Sequence, residues 1–318
     1  MLKNRNNFLS LKFLKKIYRK YFFKEYLPID TPKYFLNNSQ NRKIVCFILA
    51  GYKEFTWDIV FKRIQHFCPD NIDICILSSG KFDSTLNNIA TKNNWSYIAT
   101  KINNVCQTLN IGITCFDKAQ YIFKIDEDIF ITQDFFNNLI NTYKIAEKDY
   151  KIGFVAPLIP INGYGYRRIL ENINLVDFYS KKFEYPKISA GPDMKIESDL
   201  DVAKFMWSYD NIIPQIDDLN KLIKNTYSNT KYSTCPIRFS IGAILFSKDL
   251  IKNFGLFPTR LGNGMGQDEV HICNLATKSS MAIIISETQV VGHLSFGKQN
   301  QGMKEYFISH KNIFDIKE

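Results

Sequence analysis

The sequence predicts an α/β protein with a doubly wound, mostly parallel sheet. Short, almost wholly apolar runs recur at 43–50 (KIVCFILA), 72–77 (IDICIL) and 121–125 (YIFKI), as strands buried on both faces require. Helical spacing fills the intervals between them, which makes βαβ units. Polar residues follow at three strand ends, 50–54, 78–83 and 126–128, and sheets of this kind bind ligands there.

In chain order, a Pro- and Asn-containing linker (about 27–42) leads to the first strand, which Gly51 ends. Residues 55–67 have helical spacing, and the second strand closes on Ser78-Ser79-Gly80. A helix around 84–93, a strand at 95–99 and a helix at about 103–117 precede the third apolar run. A helix at 132–148 and a strand at 152–156 follow. Residues 159–235 change character, with Tyr, Asn and Pro turns and helices at about 166–178, 199–211 and 215–226, as an inserted helical subdomain would. The α/β pattern resumes with a strand at 238–246, a helix from Lys248, the glycine loop 262–266, a helix from about 267, and strands at 281–286 and 290–294. The expected organisation is an N-terminal segment at 1–42 and one domain at 43–318 with its insertion at about 159–235.

At 45% apolar and 14% aromatic, the 318 residues can bury a full core. The net charge of +10 is concentrated at the start: residues 1–24 hold eight Lys and Arg and no acid, leaving about +2 for the rest. A nucleic-acid binder would carry a basic face on its folded domain, so that class is excluded. Phe8, Leu11, Leu14, Ile17, Tyr18, Tyr21 and Phe22 recur at helical spacing within this basic segment. It reads as an amphipathic helix that does not span a bilayer, and that either lies on an anionic membrane face or packs on its own domain with a solvated basic side. The seven cysteines are scattered, with no C-x-x-C pair, which argues against disulfides and zinc and fits a reducing cytoplasm.

Two acidic triplets compete for a functional role. Asp199-Leu200-Asp201 opens a helix, where acids favour the N-terminal dipole, and is read as a cap. Asp126 and Asp128 instead terminate a buried strand. Two carboxylates there repel each other unless a cation lies between them, and their hard oxygens select Mg²⁺ or Mn²⁺. The second constellation is Gly262-Asn263-Gly264-Met265-Gly266-Gln267-Asp268-Glu269, in which glycines allow close approach to a ligand and deliver two carboxylates at a helix start. An ionised carboxylate so placed can act as a general base on a sugar hydroxyl. His293, just after an apolar strand, could add nitrogen to an oxygen ligand set that suits Mn²⁺. His271 is read as packing.

The order strand–D-x-D, G-x-G-x-D-E loop, strand–His resembles the inverting glycosyltransferases of family 2 and their relatives with the A-type fold, over about 43–157 and 237–295. NIGITCFDKAQYIFKIDED at 110–128 is similar to the family's helix–strand–D-x-D stretch, and GMGQDEVHIC at 264–273 to its G-x-G-x-E-D-x-D element. The resemblance implies a nucleotide-diphosphate sugar donor and a glycan acceptor, and the basic amphipathic start suggests a lipid-linked glycan acceptor at the cytoplasmic face of a membrane, as in surface polysaccharide assembly. The resemblance makes Asp268 the catalytic base and Glu269 an acceptor contact. It places Asp126 on the donor's ribose or sugar, as well as near the metal, with Asp128 and His293 as metal ligands. Tyr52, Glu54, Ser79 and Asp83 would line the nucleotide pocket. The chain departs from the family in having Ser78 or Ser79 where the second strand usually ends in an acid, and Gln267 in place of the family's first acid. A retaining glycosyltransferase, a sugar-phosphate nucleotidyltransferase and a catalytically silent assembly partner are the alternatives.

Overall fold

The apolar runs become the middle of a nine-stranded sheet. The computed structural model of the chain describes residues 30–259 and 266–316. Its strands are β1 (Tyr34–Leu36), β2 (Ile44–Leu49), β3 (Ile72–Ser78), β4 (Ser96–Ala99), β5 (Tyr121–Asp126), β6 (Ile129–Phe130), β7 (Ile152–Leu158), β8 (Tyr232–Thr234), β9 (Ala243–Ser247), β10 (Ala282–Val290) and β11 (Gly292–His293). The sheet order is β1-β4-β3-β2-β5-β9-β7-β10-β8, and β6 pairs with β11 in a separate ribbon. β2, β3, β4, β5, β7 and β10 share one direction, so the sheet is mostly parallel as expected. Every residue of β3 and β7 is buried, because helices cover both faces.

Local chemistry fixes several helix starts. Asp83 accepts from the backbone of Thr85 and Leu86 to open the helix Ser84–Lys92. Asp199 does the same for Leu200–Met206 through Asp201 and Val202, the capping role expected of that triplet. The helix Gln267–Lys278 lies close on β7 because Gly153 has no side chain: a Cβ there would stand 2.6 Å from that of Ala276.

Three expectations are corrected. The stretch 27–42, read as a linker, contains β1 within its described part. β1 pairs antiparallel with β4 and is held by Lys33 N to Ala99 O (2.8 Å) and by the ring of Tyr34 on Phe82 and Tyr97. The resumed strand at 238–246 is shorter and reversed, for β9 runs antiparallel between β5 and β7. The strands expected at 281–286 and 290–294 are one long strand, β10, followed by the two-residue β11, with a register irregularity between Ser286 and Val290.

Residues 159–235 are tied into the main core. Trp207, Ile213, Leu219 and Ile223 belong to the same buried cluster as β2 and β5. The helix expected at 166–178 is two, Gly165–Asn172 and Val176–Lys182, separated by Asn174 in a left-handed conformation (φ 57°). Fully buried Arg63 reaches across to Asp217 with two bonds of 2.9 and 2.8 Å and also holds the carbonyls of Ile131 and Phe314. The amphipathic segment 1–24 and Gly262–Met265 of the glycine loop lie outside the described residues. Among those described, no helix is long and apolar enough to cross a membrane.

Candidate active site

The parallel strands end on one side of the sheet, where the loops after β2 and β5 interlock. Glu127 N donates to the carbonyl of Leu49 (3.0 Å), and the buried Glu127 carboxylate accepts from Gly51 N (2.8 Å), Tyr52 N (2.9 Å) and Trp57 Nε1 (2.6 Å). Glu127 is thus a structural acid between the two aspartates of the D-x-D. Thr56 Oγ1 lies 2.6 Å from the Glu127 carbonyl and 2.7 Å from that of Lys53. With its backbone so anchored, Lys53 brings Nζ to 2.5 Å from Asp128 Oδ2.

The ribbon of β6 and β11 supplies the next group. His293 pairs with Ile129, and Leu294 N donates to the carbonyl of Asp128 (3.1 Å), so His293 Nε2 comes to 3.4 Å from Asp128 Oδ2. Trp207 Nε1 donates to the His293 carbonyl (3.0 Å), and its ring fills the place where a Cβ on Gly292 would be. Burial alone would raise the Asp128 carboxyl, but Lys53 and His293 hold it well below the ordinary carboxylate range.

Lys124, inside β5, is buried and faces two acids. Its ammonium is 2.7 Å from Asp126 Oδ1, 3.6 Å from Asp268 Oδ2 and 2.9 Å from the Ile241 carbonyl. Burial works against this charge, yet Asp126 and Asp268 raise its affinity for the proton. Burial pushes the Asp126 carboxyl up to about 6; Lys124 opposes the rise, while Asp268 and Asp128 add to it. The helix Gln267–Lys278 starts from Gly266 in a left-handed conformation (φ 74°), which sets Asp268 and Glu269 in its first turn. Glu269 accepts from Arg238 Nη1 (2.5 Å), and burial raises its carboxyl above the usual value despite Arg238.

Tyr52, Ser79, Asp126, Asp128, Asp268, Glu269 and His293 all line one cleft of about 540 Å³. Glu54 and Asp83, expected beside them, do not line it. Glu54 is exposed in the short turn Glu54–Thr56, and the Asp83 carboxylate is committed to its helix cap. The Ser79 hydroxyl is buried without a hydrogen-bond partner, while Tyr52 donates to the Ser79 carbonyl (2.7 Å). His271 packs on Phe257 at 5.6 Å between ring centroids.

Lys53, Lys124, Glu197 and Arg238 also line the cleft and were not singled out from the sequence. Lys124 carried a signal, a cation in the middle of an otherwise apolar strand. Lys53 and Arg238 sit in irregular chain and Glu197 in the one-turn helix Lys195–Ser198, too short for a period to mark it.

The residues around Asp128 fit a divalent cation in part. One carboxylate oxygen and one imidazole nitrogen converge, a donor pair that suits Mn²⁺ with further positions filled by ligand oxygens or water. Among the described residues, no three His, Cys, Asp or Glu side chains gather as a ready metal-holding group. Lys53 already neutralises the same carboxylate.

Fold and site define an α/β protein with a cleft at the carboxyl ends of its parallel strands, lined by both acids and cations. No family model matches the sequence, and no curated protein matches it. Among solved structures, the mannosyltransferase PcManGT from Pyrobaculum calidifontis in complex with GDP-Man and Mn²⁺ is similar over 97% of this chain and 73% of its own, at 16% identity and a TM-score of 0.47. GalNAc-T7 with UDP, GalNAc and Mn²⁺ is similar over 82% of this chain and 45% of its own, at 12% identity and 0.45. A cytidylyltransferase from Leptospira borgpetersenii matches 36% of this chain and 53% of its own, at 14% identity and 0.30. The chain spans about half the length of the last two. None of these likenesses reaches a TM-score of 0.5, so the chemistry is taken from the cleft itself.

Proposed function

We propose that the chain is a glycosyltransferase that moves a sugar from a nucleotide-diphosphate sugar to a hydroxyl of a glycan or lipid-linked glycan, with inversion. One observation carries the reading. Asp126, Asp128, Asp268 and His293, from three distant parts of the chain, share a single cleft at the sheet's carboxyl edge. A cleft of about 540 Å³ is within the size range of small-ligand sites. Its acids stand beside fixed cations, which suits a substrate carrying both hydroxyls and phosphates.

In this mechanism the Asp268 carboxylate takes the proton of the acceptor hydroxyl. The oxygen attacks the anomeric carbon while the bond to the phosphate oxygen breaks and its electrons leave with the nucleoside diphosphate. Lys124, 3.6 Å away, pairs with the Asp268 carboxylate. Asp126 faces the donor sugar or ribose. Tyr52 and Ser79, with an unpartnered hydroxyl, lie toward the nucleotide. Glu269, fixed by Arg238, lies toward the acceptor. A divalent cation, Mn²⁺ or Mg²⁺, held by Asp128 and His293, would neutralise charge on the departing phosphate. Residues 1–24 would keep the enzyme at the inner face of an anionic membrane, where surface polysaccharide is assembled.

The test is a panel of nucleotide sugars offered to the purified chain with Mn²⁺ and candidate acceptors. Transfer with an inverted anomeric centre, read by NMR, supports the proposal. Retention of configuration would overturn the inverting mechanism, and failure of every donor to bind or react would overturn the transferase reading.

A further inference from the structure

Lys53 is placed with more care than a surface lysine. It follows β2 in a loop tied to Glu127 through the backbone N–H groups of Gly51 and Tyr52 and the indole of Trp57, and its carbonyl accepts from the Thr56 hydroxyl. Its side chain is 28% exposed, and Nζ stands 2.5 Å from Asp128 Oδ2, the same oxygen that His293 approaches at 3.4 Å. An ammonium has three donors, and Asp128 accounts for one. The others are available to a ligand in the cleft that Lys53 lines.

Among the described residues, Asp128 and His293 are the pair that converges here as candidate metal ligands. A cation approaching Asp128 Oδ2 meets an ammonium already seated against it. A diphosphate entering the cleft therefore finds positive charge before any metal arrives.

We infer that Lys53 is a diphosphate-binding residue of the donor site, which lets a nucleoside diphosphate bind without a divalent cation and makes Lys53 a competitor of that cation for Asp128. The inference rests on the transferase reading and adds to it a residue that binds donor phosphate directly. Lys53 is on this account a substrate contact, with Asp128 orienting its ammonium.

Calorimetric titration of UDP, GDP, CDP and ADP into the full chain, once in EDTA and once in Mn²⁺, tests it. At least one of the four should bind in EDTA. Lys53→Met should weaken that metal-free binding by about ten- to a hundredfold, the range for a hydrogen bond to a charged group. Lys53→Arg should retain most of it. Mn²⁺ alone, followed by its EPR signal, should bind Lys53→Met more tightly than the parent. If the parent binds a nucleoside diphosphate only with Mn²⁺, or Lys53→Met matches the parent in EDTA, the inference fails while the transferase reading stands. Absence of binding in both buffers overturns both. Should Lys53→Met fail to fold by circular dichroism, Lys53→Gln takes its place in the same titrations.

Discussion

The ammonium of Lys124 stands 3.6 Å from a carboxylate oxygen of Asp268, joining the middle of the fifth strand to the first turn of a helix far along the chain. Lys124 also holds Asp126 at 2.7 Å, so one buried cation organises both acids on that side of the cleft. Removing it leaves two acids without their counter-charge.

Lys124→Met should therefore destabilise the protein by about 3 kcal/mol, the cost of breaking a buried ion pair from one side. Urea unfolding of the variant against the parent measures this. A change under about 0.5 kcal/mol, the scatter of an ordinary surface substitution, would mean that the two acids do not depend on Lys124.

Asp268→Asn should lower sugar transfer by about 10²–10⁴-fold, the typical contribution of general-base catalysis. Donor binding, followed by thermal shift, should stay nearly intact, because Asp268 acts on the acceptor's proton. Turnover retained in this variant removes Asp268 from the role.

The pH dependence follows from Asp126, whose carboxyl rises from an ordinary 3.8 to about 6 in the folded chain. The folded state thus binds that proton more tightly than the unfolded state. Its contribution to stability is full below about pH 4 and is lost as pH rises through about 6. In EDTA, the parent should lose stability relative to Asp126→Asn over that window in thermal melts. A parent that gains on the variant across it would reverse the sign and refute the assignment.

Gly292→Ala should displace the ribbon that carries His293, since the new Cβ would fall 2.1 Å from the ring of Trp207. Mn²⁺ affinity, read by EPR, should fall in this variant, and Trp207→Phe in the same chain should not restore it, because the indole bond to the His293 carbonyl is then lost. Unchanged Mn²⁺ affinity in Gly292→Ala would separate the ribbon from metal binding.

Arg63→Met should cost about 3–5 kcal/mol, since it removes the buried guanidinium that pairs with Asp217 and frees the carbonyls of Ile131 and Phe314. Chemical denaturation should still show one transition if residues 159–235 share the core cooperatively with the sheet. Two transitions would show them to unfold as a separate unit.

Hydrophobic period alone was enough to place β2, β3, β5 and β7, the helices between them and the strand-terminal position of Asp126 and Asp128. Burial on both faces leaves a continuous apolar run, and a helix leaves a stripe; both signals are local. The cap at Asp199 was legible for the same reason. The sequence also singled out Asp268 and His293, though only as separate candidates.

Tertiary structure alone decided that these residues meet. The direction of β9 and the short ribbon of β6 with β11 are choices of partner made across the chain, which no local period encodes. The places of Lys53, Arg238 and Glu197 in the cleft depend on what each one faces across it, whereas the Asp83 cap is a local signal of the same kind as the Asp199 cap. A charge has no period, so its function is set by what the fold brings within a few ångströms of it.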